Sequence, residues 1–466
     1  MRARSAIIRV PLGQPPTPKM PELRRELNAW DGVAIVIGIT MGAGIFATPG
    51  RVDAYLPSFS WVAAAWGLAA LTAFLGGSVY AELGSRLPHT GGEYVYLQKA
   101  YGPLISFVYG WAQLLVIRTN PGAALSLVAA EYLEYFVPLG SSGRLAVAVG
   151  IITSLGVVNY LGLRSGKRVQ NLTTVLKVGG CAIFVAFAAV AVGGNFANLS
   201  TEHVPAHGLG PVGNFTSAML LTVFTFIGYD RLGFLAGEMR NPERDIHRVL
   251  LFGIGSLTAL FFLMVLYYHA VLPIGEISGS RMVTADAAAQ VMGPAGVSLI
   301  VATVIISTIG STNGTIMTCS RIYYAMARDG LFLSFLGKVH PRYHSPHFSV
   351  IAHCVWVVVL LLVGRNLETF IGSQVFIILI SYGMMTVALM RIRRARPDAA
   401  KVYHVPGYPW TLALYLLLLT VMTATTCYYY PRSALLNLAL VGSGVPFYFV
   451  WRKRYKGTKD EGASQA

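Results

Sequence analysis

Four ionisable side chains lie deep within long apolar stretches of the sequence, where few charges are expected. They are Arg118, Lys177, Asp230 and Arg231. A charge at the centre of a lipid bilayer costs at least about 3 kcal/mol, so it usually belongs to a functional site or to a buried ion pair. We predict that Arg118 pairs with Asp230 or lines a side-chain pocket; a purely structural pair is the alternative.

Glycine interrupts two of these apolar stretches. Residues 37–46 read IGITMGAGIF, and residues 224–231 read FTFIGYDR. Three glycines within seven positions weaken the first stretch as a helix, by about 1 kcal/mol each relative to alanine. In the second, Gly228 stands just before two charged residues. Paired interruptions indicate a transporter site near the bilayer midplane, whereas close packing of helices through small residues is the alternative.

An interrupted helix offers backbone groups of both polarities. The half that ends exposes carbonyl groups with partial negative charge, and the half that begins exposes N–H groups with partial positive charge. An α-amino acid carries an ammonium and a carboxylate on one carbon, so it can bind both kinds of group at once. The two breaks therefore predict a site for a zwitterion.

The overall composition places these residues in a polytopic membrane protein. Of 466 residues, 55% are apolar and 12% are charged, and the mean hydropathy is +0.58. A soluble domain is about one quarter charged. A helix needs about 20 residues to cross a bilayer, and lipid offers the backbone no other partners. We therefore predict an all-α fold with twelve membrane-spanning helices. The apolar runs are 33–56, 60–83, 103–137, 145–163, 169–193, 212–238, 248–272, 295–326, 348–364, 368–390, 410–429 and 433–451.

The distribution of lysine and arginine predicts which helix ends face the cytosol. If the N-terminus is cytosolic, 28 of the 36 basic residues fall in cytosolic segments, 5 in outer loops and 3 within spans. This asymmetry predicts a cytoplasmic (inner) membrane protein with both termini in the cytosol. It also accounts for the net charge of +16 without a nucleic-acid partner. The predicted organisation is a cytosolic tail (1–30), helices one to five (31–193), an extracellular loop (194–211), helices six to ten (212–391), helices eleven and twelve (392–451) and a second cytosolic tail (452–466).

Four motifs in a fixed order resemble the amino acid–polyamine–organocation (APC) transporter superfamily. The closest resemblance is to its L-type amino-acid transporters and their bacterial relatives, and it covers about residues 30–450. The motifs are GAGIF at 42–46, YAEL at 80–83 with GGEY at 91–94, FIGYD at 226–230 followed by Asn241-Pro242, and Asn313-Gly314 with MARDG at 326–330.

The resemblance implies a LeuT-like fold. Two inverted repeats of five helices would be followed by two further helices, with helices one and six discontinuous. The substrate carboxylate would meet backbone N–H groups at Ala43 and Gly44, and the ammonium would meet carbonyl groups of both breaks. Ala43 stands where relatives usually have serine, which removes a hydroxyl contact. The implied substrate-binding residues are Ile39, Thr40, Gly42, Ala43, Gly44, Phe224, Phe226, Ile227 and Gly228.

The resemblance also gives Lys177 a role. It matches a lysine that sodium-independent relatives place where sodium-coupled ones bind an ion between helices one, five and eight. Ser307, Thr308 and Ser311 would lie nearby on helix eight. This implies transport without sodium; a lysine that reaches toward the inner membrane surface is the alternative.

Other residue patterns do not indicate an enzyme, a cofactor or a metal. His340, His344 and His347 are interpreted as solvated loop residues, and the four cysteines as small buried apolar residues. No glycine-rich nucleotide loop is present in the sequence. Pro138–Arg144 contains no cysteine, so the disulfide-linked glycoprotein subunit of eukaryotic relatives is not expected.

Together these observations predict a secondary transporter of L-amino acids that works by exchange or proton coupling. Ile39, Phe224, Phe226 and Ile227 favour neutral substrates, while Asp230 keeps cationic amino acids or polyamines as the alternative. A membrane-embedded amino-acid sensor is a second possible class, and an intramembrane enzyme is a third.

Overall fold

The computed structural model describes residues 23–280, 282–363, 374–395 and 402–452. The predicted tails, 1–30 and 452–466, lie largely outside the described residues, as does the start of the tenth predicted span. Within the described residues the chain is helical, and its extended contacts are limited to two isolated bridges, Leu27 with Met239 and Ser58 with Glu202.

The helices follow one another with short connections. Their bounds are α1 Ala29–Thr40, α2 Gly44–Asp53, α3 Phe59–Arg86, α4 Glu93–Tyr101, α5 Pro103–Ala112, α6 Thr119–Leu133, α7 Gly140–Tyr160, α8 Leu163–Val192, α9 Gly210–Phe226, α10 Pro242–Val271, α11 Ile274–Gly279, α12 Val283–Arg328, α13 His347–Val363, α14 Gln374–Ala395, α15 Trp410–Tyr429 and α16 Pro431–Gly442. Residues 444–452 are again helical. A π-helical turn, Gln113–Ile117, joins α5 to α6, and a 3-10 helix, Tyr229–Glu238, follows α9.

Helices occur in each of the twelve predicted apolar runs, but fewer qualify as spans on their own. Among the described residues, nine helices are long and apolar enough to cross a membrane, and the bent pair α1 and α2 makes ten. The third run is divided by the π-helical turn, and the ninth contains only the 17 residues of α13. The count of twelve therefore stays a prediction.

Two helices extend beyond the apolar runs that predicted them. Helix α8 begins at Leu163, six residues before the predicted start, because the basic residues there extend the helix beyond its apolar part. The eighth run extends back to Val283, with a kink at Gly293, whose φ of 62° is readily adopted only by glycine. Pro294 follows directly and can begin the second half of that helix.

Long helices position the two glycine-containing segments at the centre of the bundle. Helix α12 packs against α8, α6 and α1, and α10 packs against α3 and α1. The 3-10 helix Tyr229–Glu238 contacts α1, α10 and α12. Since α1 and this 3-10 helix are surrounded by other elements, their polar backbone groups must find partners within the protein.

Candidate functional site

A cavity of about 100 Å³ lies where the two interrupted segments meet. Seven of the nine residues predicted to bind substrate line it. They are Ile39, Thr40, Gly42, Ala43, Gly44, Phe224 and Ile227. The remaining lining side chains come mainly from α6, α9, α12 and α14, and most of them are apolar.

The first break spans Met41–Ala43. Helix α1 ends at Thr40, α2 begins at Gly44, and the two helices are bent by 41°. At the start of α2, the N–H groups of Ala43 and Gly44 donate to no described residue. Such groups carry partial positive charge at a helix N-terminus and attract anions.

Most carbonyl groups of this break already have partners. The carbonyls of Gly38, Met41 and Gly42 accept hydrogen bonds from side chains of α8 and α12. By contrast, no hydrogen bond from a described residue reaches the carbonyl of Ile39, and the buried hydroxyl of Thr40 has no described partner. Among the described residues, the first break therefore presents unpartnered donors, the N–H groups of Ala43 and Gly44, and an unpartnered acceptor, the Ile39 carbonyl, at the cavity.

Lys177 occupies the space behind the first break. Its ammonium donates to the carbonyls of Gly38 at 2.8 Å, Met41 at 2.9 Å and Ser307 at 3.0 Å, and the side chain is fully buried. An ammonium has three N–H donors and no acceptor, so these three carbonyls satisfy it completely. The lysine thus links α8 to α1 and α12.

The predicted companions of Lys177 on α12 differ in their contacts. The Ser307 hydroxyl donates to the Met41 carbonyl at 2.7 Å, and the Ser311 hydroxyl donates to the Gly38 carbonyl at 2.9 Å. Thr308 instead donates to Val304 within its own helix at 2.9 Å. Ser311, rather than Thr308, therefore completes the polar group around the lysine.

The second break is a tight turn that only glycine permits. Helix α9 ends at Phe226, and Gly228 has a φ of 142°. A Cβ atom added to Gly228 would lie 2.8 Å from the Cα atom of Thr40. Gly228 therefore packs against the end of α1 at Thr40 and does not itself line the cavity. The carbonyl of Ile227, which lines the cavity, accepts no hydrogen bond from a described residue.

Phe226 is the other predicted residue that lies outside the cavity lining. Its ring packs against Trp66 and Phe261, with centroid distances of 6.1 and 5.2 Å. Aromatic pairs at these distances stabilise a core. Any contribution of Phe226 to the cavity must come from its backbone. Residue 226 lies within the predicted motif, but the sequence pattern did not reveal which way its side chain faces.

A buried ionic cluster lies beneath the second break. The guanidinium of Arg118 forms an ion pair with Asp230, and its Nη2 atom lies 3.3 Å from the Glu93 carboxylate. The hydroxyls of Tyr80 and Tyr109 donate to Glu93. The Tyr382 hydroxyl donates to Asp230 at 3.2 Å. These contacts satisfy most of the buried oxygens and join α3, α4, α5, α14 and the 3-10 helix.

Arg231 faces the other way. It lines the cavity, and its guanidinium donates to the Thr315 hydroxyl on α12. The two adjacent charges thus separate, with Asp230 buried in the ionic cluster and Arg231 on the cavity wall.

Two of these features were missed from the sequence. Glu93 was named only as part of the GGEY motif at 91–94, because the segment after α3 is not apolar, whereas the structure places its side chain in the buried ionic cluster. Thr315 was not singled out, because one hydroxyl in an apolar run is common. The spacing of polar residues at 307, 308, 311, 312 and 315 could have indicated one polar helix face.

Ion pairs and backbone bonds close one end of the bundle below the cavity. Arg321 on α12 forms a bidentate ion pair with Glu238, at 2.8 and 3.2 Å. The backbone N–H groups of Glu26 and Leu27 donate to the carbonyl of the same Glu238. Lys167 donates to Asp31 at 2.9 Å. These contacts join α12, α8, α1 and the 3-10 helix at that end.

Asn313 joins two helices rather than lining the cavity, and the three histidines predicted to be solvated loop residues, His340, His344 and His347, are half-buried, with His347 at the start of α13. The Asn313 amide donates to the Gly166 carbonyl and to Gln170, each at 3.0 Å, so it joins α12 to α8. Among the described residues, no group of three or more histidine, cysteine or acidic side chains could hold a metal ion.

The comparisons with known proteins agree with this geometry. A family model described as amino acid permease matches residues 27–445. The chain belongs to the amino acid permease family. It is thus a multi-pass membrane protein of the APC superfamily, whose members transport amino acids.

Three relatives are similar to this permease over nearly their whole length. The serine/threonine exchanger SteT of Bacillus subtilis is 28% identical over 93% of this chain and 98% of its own. The human b(0,+)-type amino acid transporter 1 is 28% identical over 93% of this chain and 89% of its own. The human cystine/glutamate transporter is 26% identical, over 95% and 88% respectively.

Proposed function

We propose that this permease moves L-amino acids across the cytoplasmic membrane by alternating access, without sodium, and in exchange for a second amino acid or coupled to protons. The proposal includes twelve spans in a LeuT-like arrangement of two inverted five-helix repeats and two further helices. Both termini would lie in the cytosol, because basic residues are concentrated on that side of the predicted spans.

One observation supports the substrate class above all others. The cavity at the two breaks is lined by Ala43 and Gly44, whose N–H groups are unpartnered, and by Ile39 and Ile227, whose carbonyls are unpartnered within the described chain. Unmade hydrogen bonds in a buried site are costly. An α-carboxylate at the N–H groups and an α-ammonium at the carbonyls would satisfy both sets, and Phe224 would cover the bound molecule.

Lys177 supports independence from sodium. Sodium is a hard cation that binds oxygen ligands, and the carbonyls of Gly38, Met41 and Ser307 would be suitable ligands. The lysine ammonium already contacts all three at 2.8–3.0 Å. A second cation at this position would meet electrostatic repulsion and no free acceptor. The lysine therefore supplies the charge that an ion would otherwise bring.

The cavity favours substrates without a positive side chain. Asp230 had supported basic substrates or polyamines, but its carboxylate is paired with Arg118 and lies outside the lining. The charged residue in the lining is Arg231, which would repel a cation. Neutral amino acids agree with the apolar residues Ile39, Phe224 and Ile227. The similarity to a cystine/glutamate transporter also supports an amino acid with a negatively charged side chain as a second substrate class.

No disulfide-linked partner subunit is proposed. The segment Pro138–Arg144 lacks cysteine. Among the described residues, the cysteines are free thiols within helices. The proposal also includes no cofactor and no nucleic acid.

Counterflow in proteoliposomes tests the proposal. Liposomes that contain the purified permease and an unlabelled amino acid should accumulate the labelled amino acid faster than empty ones, in sodium and in choline buffer alike. Binding without counterflow would instead indicate a sensor. Counterflow that disappears when choline replaces sodium would contradict the role of Lys177. A pH gradient that drives uptake into empty liposomes would distinguish proton coupling from exchange.

A further inference from the structure

Arg231 is a buried cation with an incomplete set of partners. Its side chain lines the cavity, the residue is 5% exposed, and one nitrogen donates to the Thr315 hydroxyl. The Nε atom is buried and has no partner among the described residues. A guanidinium has five N–H donors in a planar fork, so most of its hydrogen-bonding capacity is unused in this part of the chain.

The nearby carboxylates do not neutralise Arg231. Asp230, its neighbour in sequence, forms its ion pair with Arg118 and accepts from Tyr382. Glu93 accepts from two tyrosines and lies 3.3 Å from the Arg118 guanidinium. No described acid lies within ion-pair distance of Arg231. A buried charge without a counter-ion is costly unless a ligand supplies one.

We propose that Arg231, positioned by the Thr315 hydroxyl, forms an anion subsite that selects amino acids with a side-chain carboxylate, namely aspartate and glutamate. This inference rests on the proposed function, because it assumes that the substrate backbone binds at the two helix breaks. The α-carboxylate then lies at the N-terminus of α2, near Ala43 and Gly44. The side-chain carboxylate lies at the guanidinium and accepts from it in a bidentate pair, the geometry for which arginine is best suited.

The rest of the lining supports this division of roles. Ile117, Leu125, Val128 and Ile378 offer no hydrogen bond, and the one charged side chain among the described lining residues is Arg231. The cavity is small, about 100 Å³, so aspartate, the shorter of the two acidic amino acids, is the better probe of the subsite. Lysine and arginine would be excluded by charge.

The wild-type protein allows a test that depends on charge alone. Aspartate and asparagine have the same α-groups and nearly the same shape, and differ in the side-chain charge. Aspartate should stabilise the purified protein against thermal unfolding at a concentration at least about tenfold lower than asparagine does. This factor corresponds to a difference of about 1.4 kcal/mol in binding free energy. Competition against labelled amino-acid counterflow should give the same order. Equal effects of the two amino acids, or a preference for asparagine, would overturn the proposal.

Variants of Arg231 then locate the preference. The measure is the asparagine concentration divided by the aspartate concentration that gives the same thermal stabilisation. In Arg231→Gln this ratio should fall toward one, and in Arg231→Lys it should be partly restored. Arg240→Gln, which changes an exposed arginine close in sequence, should keep the wild-type ratio. A ratio that survives Arg231→Gln would refute the assignment. So would an equal loss of both amino acids, because that would place the α-carboxylate at Arg231. If Arg231→Gln does not fold, the wild-type comparison decides alone.

The two proposals can fail separately. Aspartate-specific stabilisation without counterflow of any amino acid would refute transport and support the anion subsite. Counterflow of neutral amino acids with no preference for aspartate would support transport and refute the anion subsite.

Discussion

Replacement of Lys177 by methionine is the most informative change that the structure suggests. Methionine has a similar length and volume, so Lys177→Met removes the charge and three donors while largely keeping the packing. The ammonium donates to the carbonyls of Gly38, Met41 and Ser307. We expect the variant to be less stable and to lose transport, because the first break would no longer be held against α8.

The magnitude follows from the contacts that are lost and those that remain. Hydrogen bonds from a charged donor contribute about 1.5–3 kcal/mol each, and three are removed. The Met41 carbonyl keeps the Ser307 hydroxyl at 2.7 Å, and the Gly38 carbonyl keeps the Ser311 hydroxyl at 2.9 Å. Removal of the buried charge also recovers a desolvation cost of several kcal/mol. The net loss in unfolding free energy should therefore be about 2–4 kcal/mol.

Thermal unfolding in detergent, with and without sodium, measures this effect and its cause. Lys177→Met should melt at a lower temperature than wild type, and Arg168→Met, an exposed cation on the same helix, should not. Lys177→Ala provides a second test, because it leaves the carbonyl oxygens of Gly38, Met41 and Ser307 around an open space that a cation could occupy. Sodium should raise the melting temperature of Lys177→Ala and leave that of wild type unchanged. Unaltered stability of Lys177→Met, or sodium stabilisation of wild type, would refute the reasoning.

Two further predictions concern the ionic cluster and the helix packing around the site. Asp230→Asn should lower the unfolding free energy by about 3 kcal/mol, the low end for a broken buried pair, because Glu93 remains near Arg118. Thermal unfolding of Asp230→Asn, of Arg118→Met and of the double variant measures the coupling between the two residues. Losses that add up in the double variant would contradict pairing. Gly38→Ala should reduce the yield of monodisperse protein in size-exclusion chromatography, because its Cβ atom would lie 2.1 Å from a glutamine side chain of α8. Gly179→Ala, where the added atom meets open space, should behave as wild type, and a normal yield of Gly38→Ala would contradict the prediction, because it would show that the Gln170 and Thr174 side chains can give way.

The helical architecture could be predicted from the sequence because hydrophobic length is a local property. Each apolar run contains helix, since a buried or lipid-facing backbone can satisfy its polar groups only within the chain. Helix limits were less predictable, because they depend on contacts outside the apolar run. The start of α1 is an example. Asn28 accepts from the Asp31 N–H group at 2.9 Å, and Asp31 accepts from the Asn28 N–H group at 3.1 Å. Such a capping box fixes the first turn independently of hydrophobicity.

The position of the cavity could be predicted, but the direction of individual side chains could not. Glycine spacing marks where a helix weakens, so the two breaks were expected in the segments where the structure has them. The contrast between Asp230 and Arg231 depends instead on the 3-10 helix, which turns adjacent residues to different neighbours. Likewise, Glu93 enters the ionic cluster through α4, a short helix without an apolar run. The directions of these side chains depend on tertiary packing, which the local composition of the sequence does not reveal.

The distribution of buried charge explains why Arg231 matters more than its neighbours. Behind the first break, Lys177 is satisfied by three carbonyls, and beneath the second, Arg118 is balanced by Asp230 and Glu93. Both groups hold an opened backbone in place, and neither lines the cavity. Arg231 is the one charged side chain among the described lining residues. A charge that stabilises no internal pair, in a site where desolvation is costly, is most simply explained by a ligand that carries the opposite charge.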